Sequence, residues 1–200
     1  MSLFVPFCAA RYSWITQTST FSPNRDSHCA VVLNDILLVV AGYGGGTYLK
    51  DVWRSADGLA WTQVTSSASF PARYAHGCAV VGSQVAIVGG TGSSGFLSDA
   101  WVSSDSGSTW TQKASGSFAG RVRHGVTTFL DKLWVIGGYG SGGAIFDDVW
   151  YSSTTLSSWS LASSPFPSPR YGMGVTVFSA RMWVVAGGGN GGGIQNDVLH

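Results

Sequence analysis

The sequence predicts an all-β chain built as a β-propeller of four four-stranded blades, and three observations carry that prediction. Landmark residues recur with a period near 48. Short runs rich in β-branched and aromatic residues alternate with turn residues inside each period, and no segment sustains the 3.6-residue apolar spacing of a helix. Arg25, Arg73, Arg121 and Arg170 stand 48, 48 and 49 residues apart. Three residues after each comes His28, His76, His124 or Met173, and seventeen after each comes Gly42, Gly90, Gly138 or Gly187. Asp51, Asp99, Asp148 and Asp197 then open Asp-Val-Trp, Asp-Ala-Trp, Asp-Val-Trp and Asp-Val-Leu, with a second tryptophan at Trp61, Trp110 and Trp159 and a fourth copy at Trp14.

Within the first period the strands are expected at His28–Leu33, Ile36–Ala41, Val52–Ser55 and Trp61–Thr65, divided by Asn-Asp, poly-Gly and Asp-Gly turns. One four-stranded sheet per period of about 50 residues is a propeller blade. The repeats run 25–72, 73–120, 121–169 and 170–200, the last completed by 8–24, within a single propeller over 1–200. At one position of the innermost strand stand Cys29, Gly77, Gly125 and Gly174, small residues that relieve crowding at the axis. The two repeat-position cysteines, Cys29 and Cys78, are therefore read as small buried residues, and the three cysteines, without CxxC spacing, imply neither a disulfide framework nor a zinc site.

Arg-x-x-His, the apolar run ending in Gly-Gly (89–90, 137–138) and Asp-Val-Trp followed by a spaced Trp resemble the kelch repeat, and the resemblance covers residues 8–200. Ala41-Gly42 in the first block, and Met173 and Leu199 in the last, depart from it. A second likeness lies in Ser103-x-Asp105-x-Gly107-x-Thr109-Trp110, which looks like the Asp-box of sialidases. That likeness implies a structural hairpin in which Asp105 accepts backbone N–H bonds. Residues 8–200 tile four whole periods, so a strand around Trp14 is expected beside the strand holding Asp197–Leu199, closing the fourth blade. Kelch propellers more often have five to seven blades, and the alternatives are a segment of a longer propeller or exchange of this strand with a neighbouring molecule.

Composition excludes several classes of function. The chain is 10% charged with net charge +1, which provides no field for nucleic acid or an anionic membrane. All its acids are Asp, so no glutamate nucleophile, general acid or metal ligand exists. The longest apolar runs, such as Ile36–Ala41, fall well short of the ~20 residues of a membrane-spanning helix. Leu3–Ala10 looks like a stunted signal core but has no basic leader and contains Pro6, so it is read as mature chain. Richness in Ser, Thr and Gly with few charges leans towards a secreted or cell-surface location.

Antiparallel pairing places the start of each innermost strand on one face of the disc with the glycine-rich loops Tyr43–Lys50, Thr91–Ser98, Tyr139–Asp147 and Gly188–Asn196. In kelch domains that bind acidic peptides, equivalent arginines help build the pocket, so the resemblance makes Arg25, Arg73, Arg121 and Arg170 candidate ligand contacts through bidentate pairing with carboxylates. The competing reading has each arginine consumed by an Asp of its own or the next blade. Tyr43, Tyr48, Phe96, Tyr139 and Phe146 decorate the glycine segments, and the three tyrosines are candidates to stack on a ligand. His28, His76 and His124 recur one per blade and are expected to make the same hydrogen bond in each rather than hold a metal. No catalytic residue, cofactor or metal site is expected. The function read from these residues is a non-enzymatic protein-interaction or assembly module, with a carbohydrate-binding or glycan-processing domain as the alternative.

Overall fold

The computed structural model describes residues 22–153, 155–162 and 167–200, and in it four antiparallel sheets are arranged as a four-bladed β-propeller. Blade 1 comprises β1 (Arg25–Asp26), β2 (Cys29–Leu33), β3 (Ile36–Gly44), β4 (Thr47–Ser55) and β5 (Thr62–Thr65). Blade 2 comprises β6 (Gly77–Val81), β7 (Gln84–Val88), a small hairpin of β8 (Thr91–Gly92) and β9 (Gly95–Phe96), β10 (Asp99–Ser103) and β11 (Thr111–Ser115). Blade 3 holds β12 (Arg121–Val122), β13 (Gly125–Phe129), β14 (Lys132–Gly140), β15 (Ile145–Ser152) and β16 (Trp159–Leu161). Blade 4 holds β17 (Arg170–Tyr171), β18 (Gly174–Phe178), β19 (Arg181–Gly189) and β20 (Ile194–Leu199). The strand expected around Trp14, and the closure of blade 4 by it, lie outside the described residues.

Each blade runs from an inner strand outward, β2-β3-β4-β5 in blade 1, and the inner strands pack in succession, β2 on β6, β6 on β13 and β13 on β18. The turn from β2 to β3 places Asn34 and Asp35 at φ 50° and 60°, the paired left-handed geometry of a two-residue hairpin whose twist matches its strands. Strand β7 is buried along almost its whole length because a neighbouring blade covers each face. Between blades 1 and 2, Leu38, Val40 and Val52 meet Val85, Ile87 and Trp110, with Phe70 edge-on to the Trp110 ring at 5.1 Å. Phe118 and Trp159 repeat that contact at 5.2 Å in the next cluster, among Val88, Ala100 and Leu133. Trp110 and Trp159 are therefore wedges between blades.

Two expectations are corrected here. The glycine-rich segments are largely extensions of the sheets: β3 and β4 stay paired out to Gly44 and Thr47, with Tyr43 opposite Tyr48. In blades 3 and 4 the turn itself is a short 3-10 segment, Ser141–Gly143 and Asn190–Gly192. Glycine there serves the tight reversal, and the flanking residues still satisfy the ladder. Second, Cys29 and Cys78 form a disulfide joining β2 to β6, with Cα atoms 6.1 Å apart. Their spacing in the chain is one repeat plus one residue, which brings them side by side only when adjacent inner strands are laid together.

The hairpin at residues 103–110 is built as expected. Asp105 accepts the Thr109 N–H at 2.9 Å and the Thr109 hydroxyl at 2.6 Å, while Ser103 Oγ donates to Asp105 at 2.8 Å and accepts the Gly107 N–H at 2.9 Å. Burial opposes ionisation of Asp105, but the Thr109 and Ser103 bonds outweigh it and hold its carboxyl below the usual range. A Cβ on Gly107 would lie 2.6 Å from Val52 Cγ1, so this turn is pressed against blade 1 and is scaffold.

Candidate functional site

Each blade is locked by one arginine. The second strands of blades 1, 3 and 4 bulge where Ala-Gly or Gly-Gly stands, with φ 54° and 113° at Ala41 and Gly42 and the same values at Gly137 and Gly138. In blade 2 strand β7 ends just before Gly89-Gly90, whose φ values of 60° and 95° are also positive. In each case the turned backbone offers a carbonyl that the arginine takes: Arg73 Nη1 donates to Gly89 O at 2.9 Å and Arg121 Nη1 to Gly137 O at 2.9 Å. The same guanidinium makes a two-pronged bond to the aspartate of its own repeat, Arg73 to Asp99 at 2.7 and 2.7 Å and Arg25 to Asp51 at 2.7 and 2.8 Å. The following tryptophan completes the latch, Trp101 Nε1 donating to Asp99 at 2.7 Å. In blade 4 Leu199 supplies no such donor, Ser168 bonds to Arg170 at 2.6 Å, and the Asp197 side chain is 42% exposed.

Arg73, Arg121 and Arg170 are completely buried, and the Arg25 side chain is 1% exposed. These four candidate ligand contacts thus lie beneath the face, with their forks engaged on Asp51, Asp99, Asp148 and Asp197. Burying a guanidinium is tolerated because its donors are met by a carboxylate and a carbonyl together. Burial raises the Asp148 carboxyl, but the Arg121 bonds and charge prevail and leave it below its ordinary value.

The recurring histidines do not share a hydrogen bond. His76 and His124 are buried with neither ring nitrogen bonded, whereas His28 is exposed. The His124 ring abuts blade 2, where a Cβ on Gly77 or Gly89 would stand 3.1 or 2.9 Å from it. Both rings act as apolar plugs and stay neutral. Desolvation, then the neighbouring Arg73 or Arg121 charge, lowers each to about 3, against the weaker opposing pull of Val88 and Asp148 on His124. Among the described residues no three His, Cys or Asp side chains gather in a metal-binding group.

The aromatic candidates do reach the face. Tyr43 is exposed and meets Tyr48 at 5.7 Å and Tyr74 at 5.7 Å, while Tyr48 and Tyr74 stack at 5.6 Å and 11°. Tyr139 lies apart from these, between Phe96 at 6.1 Å and Tyr171 at 5.6 Å. Phe146 is packing, its ring under the Arg121 guanidinium at 4.2 Å. Tyr74, Arg123 and Tyr171 escaped the sequence reading. They stand one or two places after a latch arginine, in columns where the repeats differ, and that difference is the signal that marks them.

Four copies of an arginine, a positive-φ doublet and an aspartate, with Trp110 and Trp159 packed between successive blades, define a kelch-type propeller domain. The chain belongs to the KLHDC2/KLHL20/DRC7 Kelch-repeats domain family, whose pattern it matches over residues 5–188. No curated protein matches it. Domains of this class are typically protein-interaction modules and usually non-catalytic.

Proposed function

We propose that this domain holds a protein or peptide partner, one presenting carboxylates or polar groups, on the face formed by the strand starts and the extended β3–β4 and β14–β15 hairpins. The observation that carries this reading is the Tyr43–Tyr48–Tyr74 cluster, in which Tyr43 and Tyr48 pair across the β3–β4 hairpin, Tyr74 is bridged to Thr91, and Tyr43 is open to solvent. Tyrosine presented this way contributes large contact area at small entropic cost and is enriched at interfaces. The latch arginines support the face from below by fixing the bulges, and they contribute to a carboxylate partner through that positioning. Within the repeats 25–72, 73–120, 121–169 and 170–200, each blade lends the face one hairpin.

A displayed library of random peptides tests it. Binders enriched on the intact domain are expected to lose affinity at least tenfold with Tyr43→Ala, and to be unaffected by Leu59→Ala on the opposite turns. Binders that respond to Leu59→Ala alone would place the interaction on the other face and overturn the reading.

A further inference from the structure

The residues two places after the latch arginines are Ser27, Ala75, Arg123 and Gly172. All four adopt positive φ, at 50°, 52°, 52° and 66°. They bond head to tail from blade to blade: Ala75 N–H to Ser27 O at 2.8 Å, Arg123 N–H to Ala75 O at 3.1 Å, and Gly172 N–H to Arg123 O at 2.7 Å. This left-handed staircase disfavours large side chains, and three of its four members are small. Arginine is the exception. Its backbone is fixed by the neighbours whatever side chain it bears, so the fold gives no reason for a guanidinium there. The Arg123 side chain is exposed and enters none of the ion pairs among the described residues.

Arg123 lines a hollow of about 390 Å³ together with Tyr74, Thr91, Phe96, Tyr139 and Tyr171. Phe96, Tyr139 and Tyr171 come from blades 2, 3 and 4 and form one continuous run of rings. Tyr74 makes a further part of the wall, steadied by its stack on Tyr48. Among the described residues no carboxylate lines the hollow, and Arg123 is its one charged group. The volume lies at the small end of small-molecule sites, room for a single ring rather than a folded surface.

We infer that this hollow binds a saccharide carrying a carboxylate, such as a uronic acid. A sugar ring offers an apolar C–H face to the aromatic rings, hydroxyls to the tyrosine and threonine hydroxyls, and a carboxylate to the guanidinium, which pairs with it two-pronged. An extended peptide is the poorer match, because added strands draw affinity from unpaired backbone groups. Here those groups are taken: Tyr74 and Thr91 exchange both their bonds at 3.0 Å, and the Ala75 and Arg123 N–H groups are spent in the staircase. This inference does not rest on the protein-interaction reading, which is carried by the exposed Tyr43, although the two sites share Tyr74 and the β14–β15 hairpin that bears Tyr139.

The test is saturation-transfer NMR and titration of the intact domain at pH 7 with methyl β-D-glucuronide, N-acetylneuraminic acid and the uncharged methyl β-D-glucoside. At least one acid is expected to bind at least tenfold more tightly than the glucoside. Arg123→Ala, which installs the residue blade 2 carries at this place, is expected to abolish that preference at an unchanged melting temperature. Tyr139→Phe should keep most of the binding and Tyr139→Ala lose it. No transfer to either acid at millimolar concentration, an acid no better than the glucoside, or binding indifferent to Arg123→Ala overturns the inference. An acetylated aspartyl tripeptide that binds more tightly than either acid and depends on Arg123 would overturn it too, and would make the hollow a peptide anchor.

Discussion

Lowering the pH from 7 to 5 is expected to weaken this fold by about 4 kcal/mol, through two histidines that the native state keeps neutral. His76 and His124 are buried without a hydrogen-bond partner, and their pKa values fall to about 3 in the fold. In the unfolded chain each titrates near 6.5, so below that pH the unfolded state takes up protons that the folded state refuses. Stability therefore drops as pH falls from about 6.5 towards 3. Over the interval from pH 7 to 5, proton uptake by the unfolded chain is worth about 2 kcal/mol per histidine. That figure depends on the unfolded value, because the folded rings are still neutral at pH 5. Aspartates with lowered values, such as Asp105 and Asp148, act in the same direction but only nearer pH 4. Urea denaturation followed by tryptophan fluorescence at pH 7, 6 and 5 gives the slope. Blade 4 supplies the control, since Met173 occupies the histidine position there. The double variant His76→Met, His124→Met should lose most of this slope and keep only the part due to His28, which burial and then Arg25 also lower against the pull of Asp26. A wild-type stability unchanged between pH 7 and 5, or a slope undiminished in the double variant, would refute the argument.

Asp105→Ala should cost about 1 kcal/mol, the worth of local side-chain to backbone bonds, with binding on the tyrosine face unchanged; weaker binding at unchanged melting temperature would move Asp105 into the site. Arg73→Ala leaves Asp99 buried and unpaired and should cost about 3–5 kcal/mol by chemical denaturation, with Arg73→Lys falling between it and wild type. A loss under about 1 kcal/mol for Arg73→Ala would contradict the latch. Reduction of Cys29–Cys78, which spans 49 residues of sequence, should lower stability by about 4 kcal/mol on the chain-entropy account. The midpoint with and without dithiothreitol measures it, and Cys78→Ala should show no response.

Much of the architecture is legible in the sequence because the repeat writes each constraint four times. The positions of Arg73 and Asp99 within the period already raise the question of a pair, and the Gly89-Gly90 doublet marks the positive-φ backbone whose carbonyl Arg73 takes. Tyr43–Gly46 reads as a loop because glycine signals turns, yet the cross-strand pairing of Tyr43 with Tyr48 carries the ladder through it. The Cys29–Cys78 bond is hidden for a different reason. Cys29 aligns with Gly77, and Cys78 with Ala30, so neither column looks like a cysteine column. The hollow around Arg123 is harder still, since its walls come from three blades, and aligning the repeats puts Phe96, Tyr139 and Tyr171 in different columns. Repetition reveals what the blades share and conceals what they build together.

The latch has an evolutionary consequence. Arg25 reaches Asp51 and Arg73 reaches Asp99, each inside its own sheet, whereas the junctions between sheets combine Phe, Trp, Leu and Val packing with backbone bonds repeated from blade to blade and, between β2 and β6, a disulfide. The charged lock is thus internal to a module, and the seams reuse one apolar fill and one set of main-chain bonds. A gene duplication can insert a blade whose polar lock arrives complete. Selection is then free to edit single positions such as Arg123 in one copy without disturbing the others.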